Sequence, residues 1–244
     1  MRATALTACL LCALPAMAQD QPVAPAVLRA VQEATIATEV GAQIVELPLE
    51  EGEAFAAGDL LARFDCDRIE AEAEAARASH RAADEIRRTN ERLDRLGAIG
   101  KGEARRAAAE AEAADASAKA LEIVVADCEI RAPYAGRLVA RLVNPFETLE
   151  VGQDVLSIVG TDLPRVELIV PSVWLRWLRE GDRFTLAVNE VEATVPAQVL
   201  RIGAAIDPVS RTVRVTGVIT NEDAGRMGLL PGMSGSARFQ APNG

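Results

Sequence analysis

The chain has 244 residues, half of them hydrophobic but only 3% aromatic, and carries a formal charge of −10. Alanine supplies much of the apolar count, which favours closely packed helices over a bulky core. An acidic chain without clustered Lys and Arg is unsuited to neutralising a phosphate backbone, so nucleic acid is excluded as a partner.

The first residues read as a secretory signal. Met1 and Arg2 form a positive start, Ala3 to Leu14 an apolar stretch, and Ala16-Met17-Ala18 a small-x-small site. Cleavage between Ala18 and Gln19 is expected, which places the mature protein in the periplasm. A lipobox-like Leu6-Thr7-Ala8-Cys9 offers a lipoprotein alternative, but it leaves almost no apolar region before the cysteine. No later segment has the ~18 uninterrupted apolar residues of a membrane span.

Gln19 to Pro25, polar and proline-bearing, reads as a loose lead-in. Val27 to Asp65 reads as short strands, with Ile44, Leu47 and Leu49 apolar and Gly41, Gly52 and Gly58 as punctuation. From Asp67 the pattern changes to proline-free Ala, Glu, Arg and Leu. Two helices are expected, Asp67 to Leu96 and Glu103 to Val125, joined by a turn containing Gly97, Gly100 and Gly102. Asp67 and Glu70 have the spacing of a capping pair. Ala104, Ala107, Ala111, Ala114, Ala118, Leu121 and Val125 alternate steps of three and four, a coiled-coil seam. Ile69, Ala73, Ala76, His80 and Ala83 form a looser matching stripe. The short turn makes the helices antiparallel, a rod of about 45 Å at ~1.5 Å per residue.

Beyond Asp127 the strand pattern resumes and repeats the first. The step from Ile44 to Gly58 equals that from Leu138 to Gly152, with Glu53 matching Glu147 and Phe55 matching Leu149. The repeat departs from itself where Gly52 aligns with Phe146. The economical fold is one small β sandwich from residues 19–65 and 128–162, with a helical hairpin, 66–127, inserted between its halves. Residues 163–240 read as a second β domain. Val173 to Arg179 forms a short helix within it, and Trp174 and Trp177 serve either as interface anchors or as packing on the domain's core.

Cys66 and Cys128 flank the helices and meet at their base, so a disulfide is expected over the alternative of two free thiols. With His80 the only histidine, two thiols complete no zinc site, and no metal is expected. No nucleophile elbow, phosphate loop or proton relay points to an enzyme. A swinging-arm carrier needs a lysine on a β-turn, whereas Lys101 and Lys119 both lie in the helices. No cofactor is expected. Leu96, Ala98 and Ile99 are apolar residues at the far end of a charged rod, which suggests a contact surface.

Ile130-Arg131-Ala132-Pro133-Tyr134-Ala135-Gly136, Arg201-Ile202 through Asp207-Pro208-Val209-Ser210-Arg211-Thr212-Val213-Arg214-Val215, and Leu230-Pro231-Gly232-Met233 occur in the order seen in periplasmic adaptors. With the split half-motifs, the chain resembles these membrane fusion proteins of the hemolysin-secretion and RND-efflux type. The resemblance implies a mainly β fold: a lipoyl-like barrel-sandwich hybrid with an inserted long antiparallel α-hairpin, then a β-barrel. It implies a bridge between an inner-membrane transporter, RND type favoured, and an outer-membrane channel, as a homo-oligomer, a hexamer or trimer of dimers. The family's tip docks through an Arg, a Leu and a Ser. Here Arg92 and Leu96 keep the spacing, and Gly97-Ala98-Ile99-Gly100 follows with Gly100 where the serine belongs, in a turn about three residues shorter. The family's fourth, membrane-proximal domain is not expected. These departures keep open a scaffold or binding protein of the same architecture with no channel partner.

Overall fold

The computed structural model describes residues 22–221 and 225–240; Ala18 and Gln19 lie outside the described residues. In chain order the strands before the helices are β1 (Val23–Arg29), β2 (Glu33–Ala37), β3 (Ile44–Glu46), β4 (Ala54–Phe55) and β5 (Leu60–Phe64). Helices α1 (Asp67–Arg95) and α2 (Lys101–Ala126) follow. Then come β6 (Glu129–Arg131), β7 (Gly136–Arg141), β8 (Asp154–Gly160), β9 (Arg165–Pro171), β10 (Arg183–Val188), β11 (Ala193–Asp207), β12 (Thr212–Ile219) and β13 (Ser234–Phe239). The chain divides into two compact units, Ala30–Asp162 and, as the second, Leu163–Gly244 with the residues up to Arg29.

The second unit is a closed six-stranded barrel in the order β1-β13-β10-β11-β12-β9. Strict alternation builds it: Ala24, Ala26 and Leu28 of β1, Val166, Leu168 and Val170 of β9, and Val213 and Val215 of β12 all point inward and are buried. Here the expected boundary is corrected. The sequence places residues 19–65 in the sandwich, but β1 closes the barrel, with Val27 opposite Ser234 on β13 and Ala26 opposite Leu168 on β9. A lone alternating strand matches either sheet equally well; its partners are set by residues far along the chain. At Gly217 an added Cβ would stand 2.6 Å from the Phe184 ring, so the barrel wall needs glycine there.

The first unit holds two sheets, β2-β8-β7-β4 and β3-β5-β6. Strands from both sides of the helices interleave, Ala54 pairing with Arg137 and Leu60 with Arg131. Ile44, Leu61, Phe64, Leu138, Leu149, Val155, Leu156 and Ile158 form one buried core. The sequence repeat is a structural one. The amide of Ile44 donates to Glu147 O at 2.9 Å, and that of Leu138 to Glu53 O at 3.0 Å. Gly58 N donates to Ala132 O, and Gly152 N to Thr38 O, both at 2.8 Å.

The helices run antiparallel. Arg77 Nε donates to Glu122 Oε1 across them at 2.9 Å. Ala73 on α1 and Ala107, Ala111 and Ala118 on α2 are buried, and side chains this small let helix backbones come close. The capping pair does not form. Cys66, not Asp67, is the N-cap and makes no side-chain cap; instead Asp67 N donates to Asp65 Oδ1 at 3.3 Å. Gly102, expected in the turn, lies inside α2, because the extended backbone of Gly100 caps that helix. None of the helices described is long and apolar enough to cross a membrane.

Candidate functional site

The turn between α1 and α2 is built by a specific C-terminal cap. Gly97 adopts φ +69°, its amide donates to Asp94 O at 2.9 Å, and Ala98 N donates to Leu93 O at 2.8 Å. This paired pattern is a Schellman motif, and glycine fits because a Cβ in the left-handed region is strained. The chain then restarts as a helix at once, with Glu103 N donating to Gly100 O at 3.0 Å.

The consequence is an exposed apolar point. Leu96 is 75% accessible, Ala98 and Gly100 are exposed, and Ile99 is half-buried against the turn. Arg92 stands one turn before Leu96, also exposed. The structure therefore brings Arg92, Leu96, Gly97, Ala98, Ile99 and Gly100 together at one end of the helix pair.

At the other end, Cys66 and Cys128 form a disulfide with Cα atoms 6.2 Å apart. Phe64 N donates to Cys128 O at 2.9 Å, so the covalent link sits where β5 and β6 leave the sheet as the helices begin.

Between the ends, the helix surfaces are laced with ion pairs. Arg77 and Arg81 both hold Glu74, and their hydrogen bonds keep its carboxyl below the usual range. Arg87 does the same for Asp84, with Arg88 adding to it. Lys119 lowers Asp115, which also lies 3.8 Å from His80 Nε2. His80 thus sits in the interface between the helices, with Nδ1 buried and unpartnered.

Sequence reading missed a feature of the tip. Among the described residues, Arg92, Arg95, Lys101 and Arg105 make no ion pair, whereas every other Lys and Arg of the two helices does. The signal was in the spacing. Arg92, Lys101 and Arg105 have no acidic residue three or four positions away, and the one such residue near Arg95, Glu91, is held by Arg87 at 2.6 Å.

In the barrel, Trp174 and Trp177 stack their edges on Phe239 with ring centroids 5.5 and 6.1 Å away. Both are half-buried and pack on the barrel's core. The Asp207–Thr212 stretch forms the β11–β12 turn. Asp207 Oδ1 accepts from Val209 N and Ser210 N, both at 2.9 Å, leaving Val209 93% exposed. Among the described residues no three His, Cys, Asp or Glu side chains gather as metal ligands.

No protein-family model matches the chain. The Nodulation protein NolF of Rhizobium meliloti (strain 1021) is 31% identical over 222 residues, covering 84% of this chain. The chain spans only 59% of NolF's length. Among solved structures, a putative efflux transporter from Bacteroides eggerthii DSM 20697 superposes with a TM-score of 0.74 at 24% identity, over 89% of this chain and 68% of that one. A MacA-MexA chimera containing the Pseudomonas aeruginosa MexA alpha-hairpin domain gives 0.79 at 17% identity, over 91% and 81%. The membrane fusion protein Spr0693 from Streptococcus pneumoniae R6 gives 0.73 at 13% identity, over 91% and 100%. The structural likenesses establish the fold, mostly β with a six-stranded barrel and two helices. The chain is thus similar in sequence to NolF and similar in fold to membrane fusion and periplasmic adaptor proteins.

Proposed function

We propose that this protein is the periplasmic adaptor subunit of a tripartite efflux or secretion complex, without chemistry of its own. In this reading residues 30–65 and 128–162 are the lipoyl-like barrel-sandwich hybrid, and 66–127 the long α-hairpin that reaches across the periplasm. The barrel meets an inner-membrane transporter, RND type favoured, and the tip meets an outer-membrane channel. The protein assembles as a hexamer or a trimer of dimers, and its signal peptide is removed at Ala18.

One observation carries the reading. An exposed Leu96 beside Arg92 ends a helix pair whose base is closed by a disulfide. Such a device holds an apolar point rigidly away from the core and has no use in an isolated globule. The family's Arg and Leu spacing survives there in spite of the shortened turn.

The test is photo-crosslinking in native cells from Ala98 at the tip and Val209 on the barrel turn, both exposed. Expected is an outer-membrane channel from Ala98 and an inner-membrane transporter from Val209, identified by mass spectrometry. Self-crosslinks or soluble proteins alone, with the bait well expressed, would replace the adaptor by a scaffold without a channel partner.

A further inference from the structure

Along α1 and α2 the cations are neutralised by neighbours, except at the free end. Arg68 holds Glu72, Arg106 holds Glu110, and Lys119 holds Asp115, each four residues apart. Arg92, Arg95, Lys101 and Arg105 flank the turn, all exposed and, among the described residues, without an ion pair. The same stretch holds two carboxylates, Asp94 and Glu103, and neither is an ion-pair partner of these four. A locally positive tip therefore stands on a chain of net charge −10. Exposed Leu96 lies between the two pairs of cations.

Unpaired surface cations gain little from their own fold. Their value lies in a partner, where complementary charge raises encounter rates and rejects wrong surfaces. We propose that the tip docks on an acidic protein rim, which takes Leu96 into an apolar socket while carboxylates ring it and face Arg92, Arg95, Lys101 and Arg105. This rests on the adaptor reading and adds the chemistry of its partner. Arg95, Lys101 and Arg105 are the specificity residues that the Arg and Leu spacing alone does not contain. Because the cluster is spread over both helices, it orients the helix pair as well as attracting it. Charge reversal there removes attraction without disturbing the fold, since none of these side chains holds another.

The experiment uses the full chain in cells, with a photo-crosslinker at Ala98. It compares wild type with Arg95→Glu/Lys101→Glu/Arg105→Glu, the same triple to Gln, and a control reversing the paired Arg68 and Arg81. Helicity by circular dichroism and an intact disulfide by mass confirm folding. Crosslinked partner peptides from wild type should be rich in Asp and Glu. The Glu triple should cut the yield by about tenfold or more and the Gln triple by less, with the control unchanged. In detergent extract, wild-type capture should fall steeply as salt rises from about 0.05 to about 0.5 M, and the Gln triple should lose that dependence. Unchanged yield from the Glu triple, or partner peptides without acidic residues, overturns the proposal while leaving the adaptor reading intact. Flotation with vesicles of phosphatidylglycerol in phosphatidylethanolamine, lost in the Glu triple while protein crosslinks persist, overturns it in favour of a lipid surface. Capture of no protein by wild type removes the adaptor reading, and this proposal with it.

Discussion

Phe146 adopts the left-handed backbone conformation, φ +66°, that its repeat counterpart Gly52 adopts at φ +85°. The Phe146 amide donates to Ile44 O at 2.9 Å, and the Gly52 amide to Leu138 O at 2.7 Å. The offset that carries Gly52 to Phe146 also carries Ile44 to Leu138, so the two are one bond with the halves exchanged. One half thus solves this turn with glycine and the other forces a bulky residue into it. Phe146 is 70% exposed, so its ring returns little burial for the strain. Phe146→Gly should stabilise the first unit by about 1 kcal/mol, and Gly52→Ala should destabilise it by about the same amount. Urea unfolding of the two variants checks this; a Phe146→Gly variant less stable than wild type would show that the ring carries packing.

Loss of the disulfide should be costly. Cys66 and Cys128 close a loop of 62 residues, worth about 4 kcal/mol by chain entropy. The Cys66→Ser/Cys128→Ser variant should shift the unfolding midpoint accordingly. Unreduced, denatured wild type should take up no alkylating reagent at these cysteines. Two alkylated thiols there would contradict the structure directly.

Acid should loosen the helix pair. The carboxyls of Glu74, Asp84 and Asp115 are held below their usual range by hydrogen bonds from Arg81 and Arg77, from Arg87, and from Lys119 respectively. A folded-state pKa below the unfolded one contributes stability above the unfolded value, about 4, and loses it as pH falls through the folded value. Thermal melts followed by helix ellipticity should therefore be flat from pH 7 to pH 5, on the order of the normal range for such groups, and fall below pH ~4. High salt should shrink the effect, because these pairs are exposed. A melt that is stronger at pH ~3 than at pH ~6 would rule the account out.

The alanine seam sets how close the helices lie. Ala111 is 3% exposed, in the buried stripe of α2. Ala111→Leu should cost about 1–3 kcal/mol by overpacking, while Ala113→Leu on the exposed face should change stability by less than about 0.5 kcal/mol. Equal melting temperatures for the two variants would show that the seam is not packed as described.

Much of this fold can be read from the chain itself. The helix pair announces itself because composition and proline absence change together at Asp67, and a three-four alanine period follows from Ala104. The interleaved sheets follow from the half-repeat. What resisted reading was non-local. Nothing within Val23–Arg29 says that its partners are β9 and β13, and helix starts near Cys66 and Gly100 depend on backbone geometry rather than on capping side chains. The tip was found through Leu96, which breaks the pattern of a charged surface. Its cations were passed over because each Arg looks like its neighbours until the residues three and four positions away are checked.

The cystine at Cys66 and Cys128 makes α1, the turn and α2 a covalently closed ring. A sideways pull on either helix is shared at once between the two strands that bear the ring, β5 and β6, which are themselves hydrogen-bonded neighbours. Tension at the tip then loads two strands in shear together, instead of peeling one away bond by bond. The linkage acts as a mechanical yoke, and reduction should lower the force the protein bears even where its helices stay folded.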